Sequence, residues 1–119
     1  MSKPGWLRLD AHADAALYDR VRLGVIDAVR AGRLRPGARL PTVRELAAAL
    51  DFAPNTVARA YRELESAGVI ETRGRAGTFV ARTDPADKKM AKAARVYADV
   101  ARTLGLGRED ARRYLDAEF

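Results

Sequence analysis

Residues 42–54 hold two helix starts so close together that they constrain the fold more than any other feature of the chain. The first is "TVRE", in which Thr42 can accept a hydrogen bond from the amide of Glu45 while Glu45 reaches back to the amide of Thr42. The second is Pro54, because proline at the first helical position gives up an amide that has no partner and brings a suitable φ. Residues 51–53 are too few to form anything but a turn. Two helices joined by such a turn indicate a helix-turn-helix.

Helical periodicity marks an apolar face on each of three helices around this turn. The helix before it should end near Gly32, and a loop with a Pro36-Gly37 turn should cover residues 33–41. The helix that begins at Pro54 should run to about Ala67. The predicted apolar positions are, in chain order, Leu17, Val21, Val25 and Val29 with Ile26 beside them; Leu46, Ala47 and Leu50; and Val57, Ala60, Tyr61 and Leu64.

A short hairpin follows these helices. Residues 69–72 and 78–81 favour β-strands, and "RGRAG" at 73–77 favours a tight basic turn between them. Three helices and a hairpin describe a winged helix-turn-helix. We therefore predict a mainly α fold with a small two-stranded β-wing, a DNA-binding domain over residues 1–83, in which residues 1–12 are irregular.

Residues 84–119 have no strand signal and favour two helices. Asp84 can cap the first helix and Pro85 can start it, and Gly105 and Gly107 flank a turn before the second. Two helices are too few to build their own core, so their apolar residues must cover the main domain or another chain. Those residues are Met90, Ala94, Tyr97, Ala101 and Leu104, which form a seam with a 4-3-4-3 spacing on the first helix, and Tyr114 and Leu115 on the second.

The charge balance favours a polyanionic partner. The chain has 22 Lys and Arg against 16 Asp and Glu, a formal net charge of +6, and 18 of the basic residues are arginine. Arginine presents a planar fork that suits phosphates and guanine edges. Genomic base composition would also produce many arginines and alanines, so the charge alone is weak evidence.

Several function classes lack the residues that they need. The chain has no cysteine and a single histidine, His12, so the sequence predicts no metal site and no cofactor. No glycine-rich phosphate loop and no nucleophile–base pair stands out, which argues against an enzyme. No apolar run approaches the roughly 20 residues of a membrane helix, and the charged N-terminus does not read as a signal peptide. We expect a soluble, cytoplasmic protein that has no membrane partner.

The stretch "LPTVRELAAALDFAPNTVARAYRELESAGVIETRGRAGTFVA" (40–81) closely resembles the DNA-binding domain of GntR-family bacterial transcription regulators, and residues 16–37 extend the likeness. The short region after the wing resembles the YtrA-type subfamily, whose helical tail serves dimerisation. The motifs that carry the resemblance are Leu40-Pro41, Arg44-Glu45-Leu46-Ala47, Asn55-Thr56-Val57, Leu64, Gly68 and Gly77-Thr78-Phe79-Val80.

The chain departs from the family pattern at three positions. Asp51 stands where many members have glycine, and aspartate tolerates a left-handed backbone better than most residues. Ala53 replaces the usual capping residue, so the second helix of the motif should be poorly capped. Pro54 stands where many relatives carry an arginine that contacts DNA, so that contact should be absent.

The resemblance and helix physics together select the DNA contacts. The N-terminus of a recognition helix favours phosphates, and short polar side chains there can reach base edges. Asn55 can pair with adenine, and Arg59 lies on the next turn; on the wing, Gly77 lets the backbone approach a phosphate. Local capping and solvated charges are the competing interpretations, and Arg62, Glu63 and Glu65 are interpreted as solvated. The predicted contacts are Thr42, Arg44, Asn55, Thr56, Arg59, Arg73, Arg75 and Gly77.

The leading functional hypothesis is a homodimeric, sequence-specific transcription regulator, more often a repressor, that binds a pseudo-palindromic DNA operator. The alternative is a non-regulatory nucleic-acid-binding or architectural protein, which would recognise no defined operator. The sequence leaves open which genes are regulated and whether a small-molecule effector takes part.

Overall fold

The computed structural model describes residues 3–119 and separates into two compact units, one up to Asp84 and the other Pro85–Phe119. The first unit is a winged helix-turn-helix, as predicted. Its elements are α1 (Leu17–Arg30), α2 (Val43–Leu50), α3 (Pro54–Ser66), β1 (Ile70–Thr72) and β2 (Thr78–Val80), with short 3₁₀ turns at Asp10–His12 and Gly74–Ala76. The second unit consists of α4 (Pro85–Thr103) and α5 (Arg108–Glu118).

The segment before α1 is more ordered than the sequence predicts. Leu7 is only 2% exposed and packs against α1 at Gly24, where an added Cβ would lie 2.5 Å from the Leu7 Cδ1 atom. The Arg33 side chain donates a hydrogen bond to the carbonyl of Trp6 at 3.1 Å. His12 Nε2 lies 2.5 Å from the Asp27 Oδ2 atom. The segment before α1 is therefore held on α1 by contacts that the sequence pattern of residues 1–12 does not predict.

The buried face of α1 is rotated from the predicted stripe. Val21 and Val25 are buried as expected, together with Gly24 and Ala28. Leu17, however, is 45% exposed, and Val29 is only partly buried. The predicted end of α1 is confirmed, since Arg30 is its last residue and Gly32 takes a positive φ of 80°.

The turn between α2 and α3 follows the local sequence signals closely. Both hydrogen bonds of the capping box form, from the Glu45 amide to Thr42 Oγ1 at 3.1 Å and from the Thr42 amide to Glu45 Oε1 at 3.0 Å. Asp51 takes the left-handed conformation at φ 57° and ψ 42°. Pro54 occupies the start of α3, and no side-chain hydrogen bond caps that helix at Ala53. All of these features were predicted.

The core of the first unit lies where the three helices and the wing meet. Leu46, Val57 and Leu64 are fully buried, and Leu50 packs at the edge of the same cluster. The β1–β2 ladder pairs Ile70 with Val80, which closes the cluster from the wing side. The buried apolar residues are Leu7, Val21, Val25, Ala28, Leu34, Leu40, Leu46, Ala47, Val57, Ala60, Tyr61, Leu64, Ile70 and Val80.

The end of the predicted loop over 33–41 pairs with the wing. The Leu40 amide donates to the Thr78 carbonyl, and the Val80 amide donates to the Ala38 carbonyl, both at 2.8 Å. Arg39 forms an isolated antiparallel bridge with Phe79. This short extended stretch lies beside β2 and holds the wing against the body of the unit.

In the second unit, the predicted apolar seam divides between two faces of α4. Tyr97 and Ala101 face α5, since Ala101 is buried and the Tyr97 hydroxyl donates to the Ala111 carbonyl at 2.8 Å. Met90 and Leu104 are instead exposed in the single chain, at 66% and 67%. The sequence did not single out Val96 and Val100, which are also exposed and line one shallow groove with Leu104.

Candidate nucleic-acid interface

The N-terminal turn of α3 is exposed and carries the short polar side chains that the sequence selected. Asn55 is exposed, and Thr56 is partly buried. No side chain caps the helix, Pro54 has no amide hydrogen, and the Thr56 amide donates to the Ala53 carbonyl at 3.0 Å. The positive dipole end of the helix and the exposed Asn55 are therefore what this turn presents to the surroundings. This arrangement suits the binding of a phosphate or of an acceptor on a base edge.

Arg59 lies one turn further along α3 and is held by neighbours that the sequence did not suggest. Its guanidinium carbon lies 3.7 Å from the centre of the Tyr18 ring, which belongs to α1. Its Nε lies 3.8 Å from Glu63 Oε1. The side chain nevertheless remains 53% exposed. Arg59 is therefore both ordered and accessible.

The start of α1 and the start of α3 together border a depression of about 340 Å³ that no local pattern predicts. It collects an apolar side chain, an aromatic ring and polar groups within one small surface. The residues that line it are Leu17, Tyr18, Asn55, Thr56 and Arg59.

The start of α2 supplies Arg44, which is exposed beside the capping box. The Thr42 hydroxyl accepts from the Glu45 amide, and hydrogen bonding to Thr42, through its backbone amide first, holds the pKa of the Glu45 carboxyl below its usual value. Tyr61 ties α3 to this region, because its hydroxyl donates to the Pro41 carbonyl at 2.7 Å. Burial raises the pKa of the Tyr61 phenol, so it keeps its proton and remains a donor.

The two predicted wing arginines have different surroundings. Arg73 stacks on Phe79, with its guanidinium carbon 4.4 Å from the ring centre, and donates from Nε to Glu71 Oε1 at 3.1 Å. Arg75 is exposed at the wing tip, within the 3₁₀ turn. Arg75 is therefore available to a phosphate as it stands, whereas Arg73 must give up or share a carboxylate partner.

Arg39 belongs to this surface although its position in the sequence favours only a loop residue. A Cβ added at Gly77 would lie 3.0 Å from the Arg39 Nε atom, and Gly77 has a φ of 115°. The absence of a side chain at Gly77 thus makes room for the arginine under the wing. The sequence predicts only a loop over residues 33–41, because no local signal reveals that residues 38–40 pair with β2.

Two acidic residues of α3, interpreted from the sequence only as solvated positions, are partly or fully exposed but also have partners. Glu63 lies 3.6 Å from Arg22 Nε as well as near Arg59, and Glu65 accepts a hydrogen bond from the Thr72 hydroxyl at 2.7 Å. Both carboxylates therefore connect α3 to neighbouring elements. Their partners lie on α1 and the wing, which sequence spacing along α3 cannot identify.

Metal clusters and membrane-spanning helices are both absent from residues 3–119. No group of three or more His, Cys, Asp or Glu side chains there is placed to hold a metal ion. No helix of that described range has the length and apolar character needed to cross a membrane.

The sequence matches a known family model and known regulators. The model described as "Bacterial regulatory proteins, gntR family" matches residues 17–80. The chain is 63% identical over 110 residues to the HTH-type transcriptional regulator Rv1152 of Mycobacterium tuberculosis, which covers 92% of this chain and 91% of that protein. It is 40% identical over 75 residues to the HTH-type transcriptional repressor YtrA of Bacillus subtilis, over 62% of this chain and 57% of that protein.

Solved structures share the fold. A transcriptional antiterminator from Listeria monocytogenes EGD-e superposes with a TM-score of 0.61 at 27% identity, covering 92% of this chain and 86% of that one. AraR(DBD) in complex with operator ORX1 superposes with a TM-score of 0.53 at 27% identity, covering 56% of this chain and 81% of that one.

Proposed function

The chain belongs to the bacterial GntR family of transcription regulators, and from that premise we propose that it represses transcription by binding a pseudo-palindromic operator as a homodimer. DNA binding and transcription regulation come with the family and with its close relatives. The proposal adds the form of the operator, the direction of the effect and the oligomeric state. Because its relatives are regulators, we assign it no catalytic role, and it would act on DNA in the cytoplasm.

The observation that carries the proposal is the uncapped, exposed N-terminus of α3. It presents the positive end of the helix dipole, the Asn55 side chain and the ordered Arg59 together. A helix end of this kind supplies donors for phosphates and for the acceptors on purine edges. Arg44, Arg39 and the exposed Arg75 are cationic side chains for the flanking backbone. AraR(DBD), which has the same fold, has been solved in complex with operator ORX1, which supports DNA binding by this fold.

The homodimer is argued from the second unit. Val96 and Val100 on α4, with Leu104 just after its last residue, form an exposed apolar strip in the single chain. In a twofold dimer the strip of one chain would pack against the same strip of the other, and both apolar surfaces would be removed from water. Met90, Tyr114 and Leu115 are further exposed apolar residues of this unit that the dimer could cover. Ala94, Tyr97 and Ala101 complete the predicted set, and of these Tyr97 and Ala101 support the strip by packing α4 on α5.

A twofold dimer would place two recognition helices on one duplex and so favour a site with twofold sequence symmetry. The same geometry separates the proposal from an architectural protein, which binds through phosphates alone and discriminates little between sequences. Repression is the direction that the name of the Bacillus subtilis relative carries. An effector is compatible with this proposal but is not required by it.

Selection of bound duplexes from a randomised library, followed by titration at about 150 mM salt, tests the proposal. We expect enrichment of a site with an inverted repeat, binding at least about 10³-fold tighter than to a scrambled duplex. Affinity for both duplexes should fall as salt rises, because phosphate contacts release counterions. Equal affinity for the selected and scrambled duplexes would leave the architectural alternative instead. A reporter gene placed downstream of the selected site then distinguishes repression from activation.

A further inference from the structure

The contact between Tyr18 and Arg59 joins the first helix to the recognition helix. Tyr18 is at the start of α1 and Arg59 is in the second turn of α3, yet the guanidinium carbon lies 3.7 Å from the ring centre. At this distance the cation lies directly on the face of the ring, which is the favourable geometry for a cation–π contact.

This contact orders Arg59 without using its hydrogen-bond donors. Stacking engages the flat face of the guanidinium, whereas its N–H groups point outward in the plane. The ion pair of Arg59 with Glu63 is made through Nε, at 3.8 Å. The two terminal amino groups can donate together to the O6 and N7 acceptors of a guanine in a bidentate contact. The stacked side chain therefore keeps the donors that base recognition needs.

A line of alternating charges supports the same arrangement. Glu63 is shared between Arg59 and Arg22, and Arg22 Nε lies 2.9 Å from Asp19 Oδ1. Asp19 and Arg22 belong to α1, so this line crosses the same pair of helices as the stack. Arg59 is thus fixed by a ring on one side and a carboxylate on the other, and both are tied to α1.

Arg59 also lies on the surface that we propose faces the DNA bases. It follows Asn55 by four residues, so the two side chains share one face of α3, and both line the depression with Tyr18. A long arginine side chain normally loses much rotamer freedom when it binds. A stack that is already formed in the free protein reduces that loss, which favours the bound geometry.

We propose that Tyr18 is a positioning residue for DNA recognition: its ring presets the Arg59 guanidinium to read a guanine in the major groove. The inference rests on the proposed function, since it names a determinant of specificity at the same surface. It makes α1, which the sequence suggested only as a core helix, a contributor to the choice of operator.

The experiment is a double-mutant cycle on the duplex that the wild-type chain selects from a randomised library. Arg59→Ala first identifies the base pair whose discrimination is lost. Tyr18→Leu and Tyr18→Phe are then titrated on that duplex and on a duplex changed at that base pair. Each Tyr18 variant is measured in the wild-type and in the Arg59→Ala background.

We expect Tyr18→Leu to weaken binding about two- to fivefold for each recognition helix, the scale of an exposed cation–π contact, and to reduce discrimination at that base pair. Tyr18→Phe should bind within about twofold of the wild type because it keeps the ring. In the Arg59→Ala background, Tyr18→Leu should have no further effect. Thermal unfolding confirms that each variant is folded, and Tyr18→Met replaces Tyr18→Leu in the cycle if the latter unfolds at the assay temperature.

Three results would overturn the inference while leaving operator binding intact. They are an equal loss from Tyr18→Leu in both backgrounds, a Tyr18→Phe variant as weak as Tyr18→Leu, and an Arg59→Ala variant that keeps full base discrimination. A wild-type chain that shows no site preference would instead remove the proposed function and this inference with it.

The wing provides a matched control, because Arg73 and Phe79 form a second arginine–aromatic stack at 4.4 Å. Phe79→Leu should change the affinity for all duplexes by a similar factor and leave discrimination at the base pair read by Arg59 unchanged. A loss of discrimination at that base pair in Phe79→Leu would show a general effect of disturbing the fold and would contradict the role of Tyr18.

Discussion

The winged unit buries most of its large apolar side chains, whereas the α4–α5 unit leaves most of them exposed in the single chain. The first has fourteen buried apolar residues in one cluster, drawn from all three helices, the wing and the segment before α1. In the second, Ala101 alone among the described residues is buried, while large apolar residues such as Val100 and Leu104 remain exposed in the single chain.

This difference shows how the two units obtain their stability. Burial of apolar surface is the main favourable term in folding, and the first unit can supply it internally. A pair of helices of this size buries little and is marginal by itself. The winged unit is therefore expected to depend on its own core, and the α4–α5 unit on a partner.

The largest expected effect comes from placing charges on the exposed strip of α4. Val100→Asp with Leu104→Asp should convert the proposed dimer to a monomer, because two charges would face their symmetry mates at a buried interface. Loss of the second linked contact should weaken binding to the full operator by about 10²–10⁴-fold. Light scattering and operator titration measure the two effects.

Arg95→Asp is the matched control for the strip, since Arg95 is exposed on α4 and lies about two and a half turns before Leu104, on roughly the opposite side of the helix. It should stay dimeric and retain most of its affinity. If the double variant on the strip behaves like Arg95→Asp, the dimer interface lies elsewhere and the contrast between the units fails.

A second test breaks the core of the winged unit. Leu7→Ala should lower the free energy of unfolding by about 2–4 kcal/mol, because it leaves a cavity against α1 at Gly24. Chemical denaturation measures this change, and light scattering should show an unchanged oligomeric state. Leu9→Ala serves as a comparison, since Leu9 is only partly buried beside the same cluster. Equal effects of the two variants would mean that Leu7 is not a core residue in solution.

A third test sharpens the comparison by separating the DNA surface from both apolar regions. Arg44→Ala and Asn55→Ala should each cost about 1–3 kcal/mol of operator binding per half-site, the scale of a lost base contact. Both residues are exposed, so the melting temperature and the dimer should be unaffected. Binding titrations with thermal unfolding check this. Unchanged operator affinity in both variants would refute the placement of the interface.

The smallest effect concerns the capping box, which belongs to the winged unit alone. Hydrogen bonding to Thr42 lowers the pKa of Glu45 in the folded chain, so its stabilising contribution is present above its ordinary pKa of 4.5 and is lost as pH falls through the lowered value. Thermal unfolding across this acidic range should show less loss of stability for Glu45→Gln than for the wild type. Identical pH profiles would show that the capping bond contributes nothing to the pH dependence.

Features that depend on neighbours within a few residues could be predicted closely. The capping box of Thr42 and Glu45, the left-handed Asp51 and the start of α3 at Pro54 all follow from the chemistry of adjacent groups. The same holds for the exposed position of Asn55, because it follows from the register of one helix.

Contacts between distant parts of the chain were either not predicted from the sequence or predicted only in part. The burial of Leu7 against Gly24, the stack of Arg59 on Tyr18 and the place of Arg39 under Gly77 each join separate elements. The apolar seam of α4 divided for the same reason: periodicity identifies apolar positions, but the direction of α5 decides which of them it covers.

The sequence by itself determined the helix-turn-helix, the wing and the polar start of the recognition helix, because hydrogen bonds and φ preferences within a few residues specify them. Only the tertiary structure decided which arginines are ordered, which carboxylates they meet and which apolar residues stay exposed. Those outcomes depend on the packing of elements that are far apart in the chain, and packing is set by the shape of the whole core rather than by any local pattern.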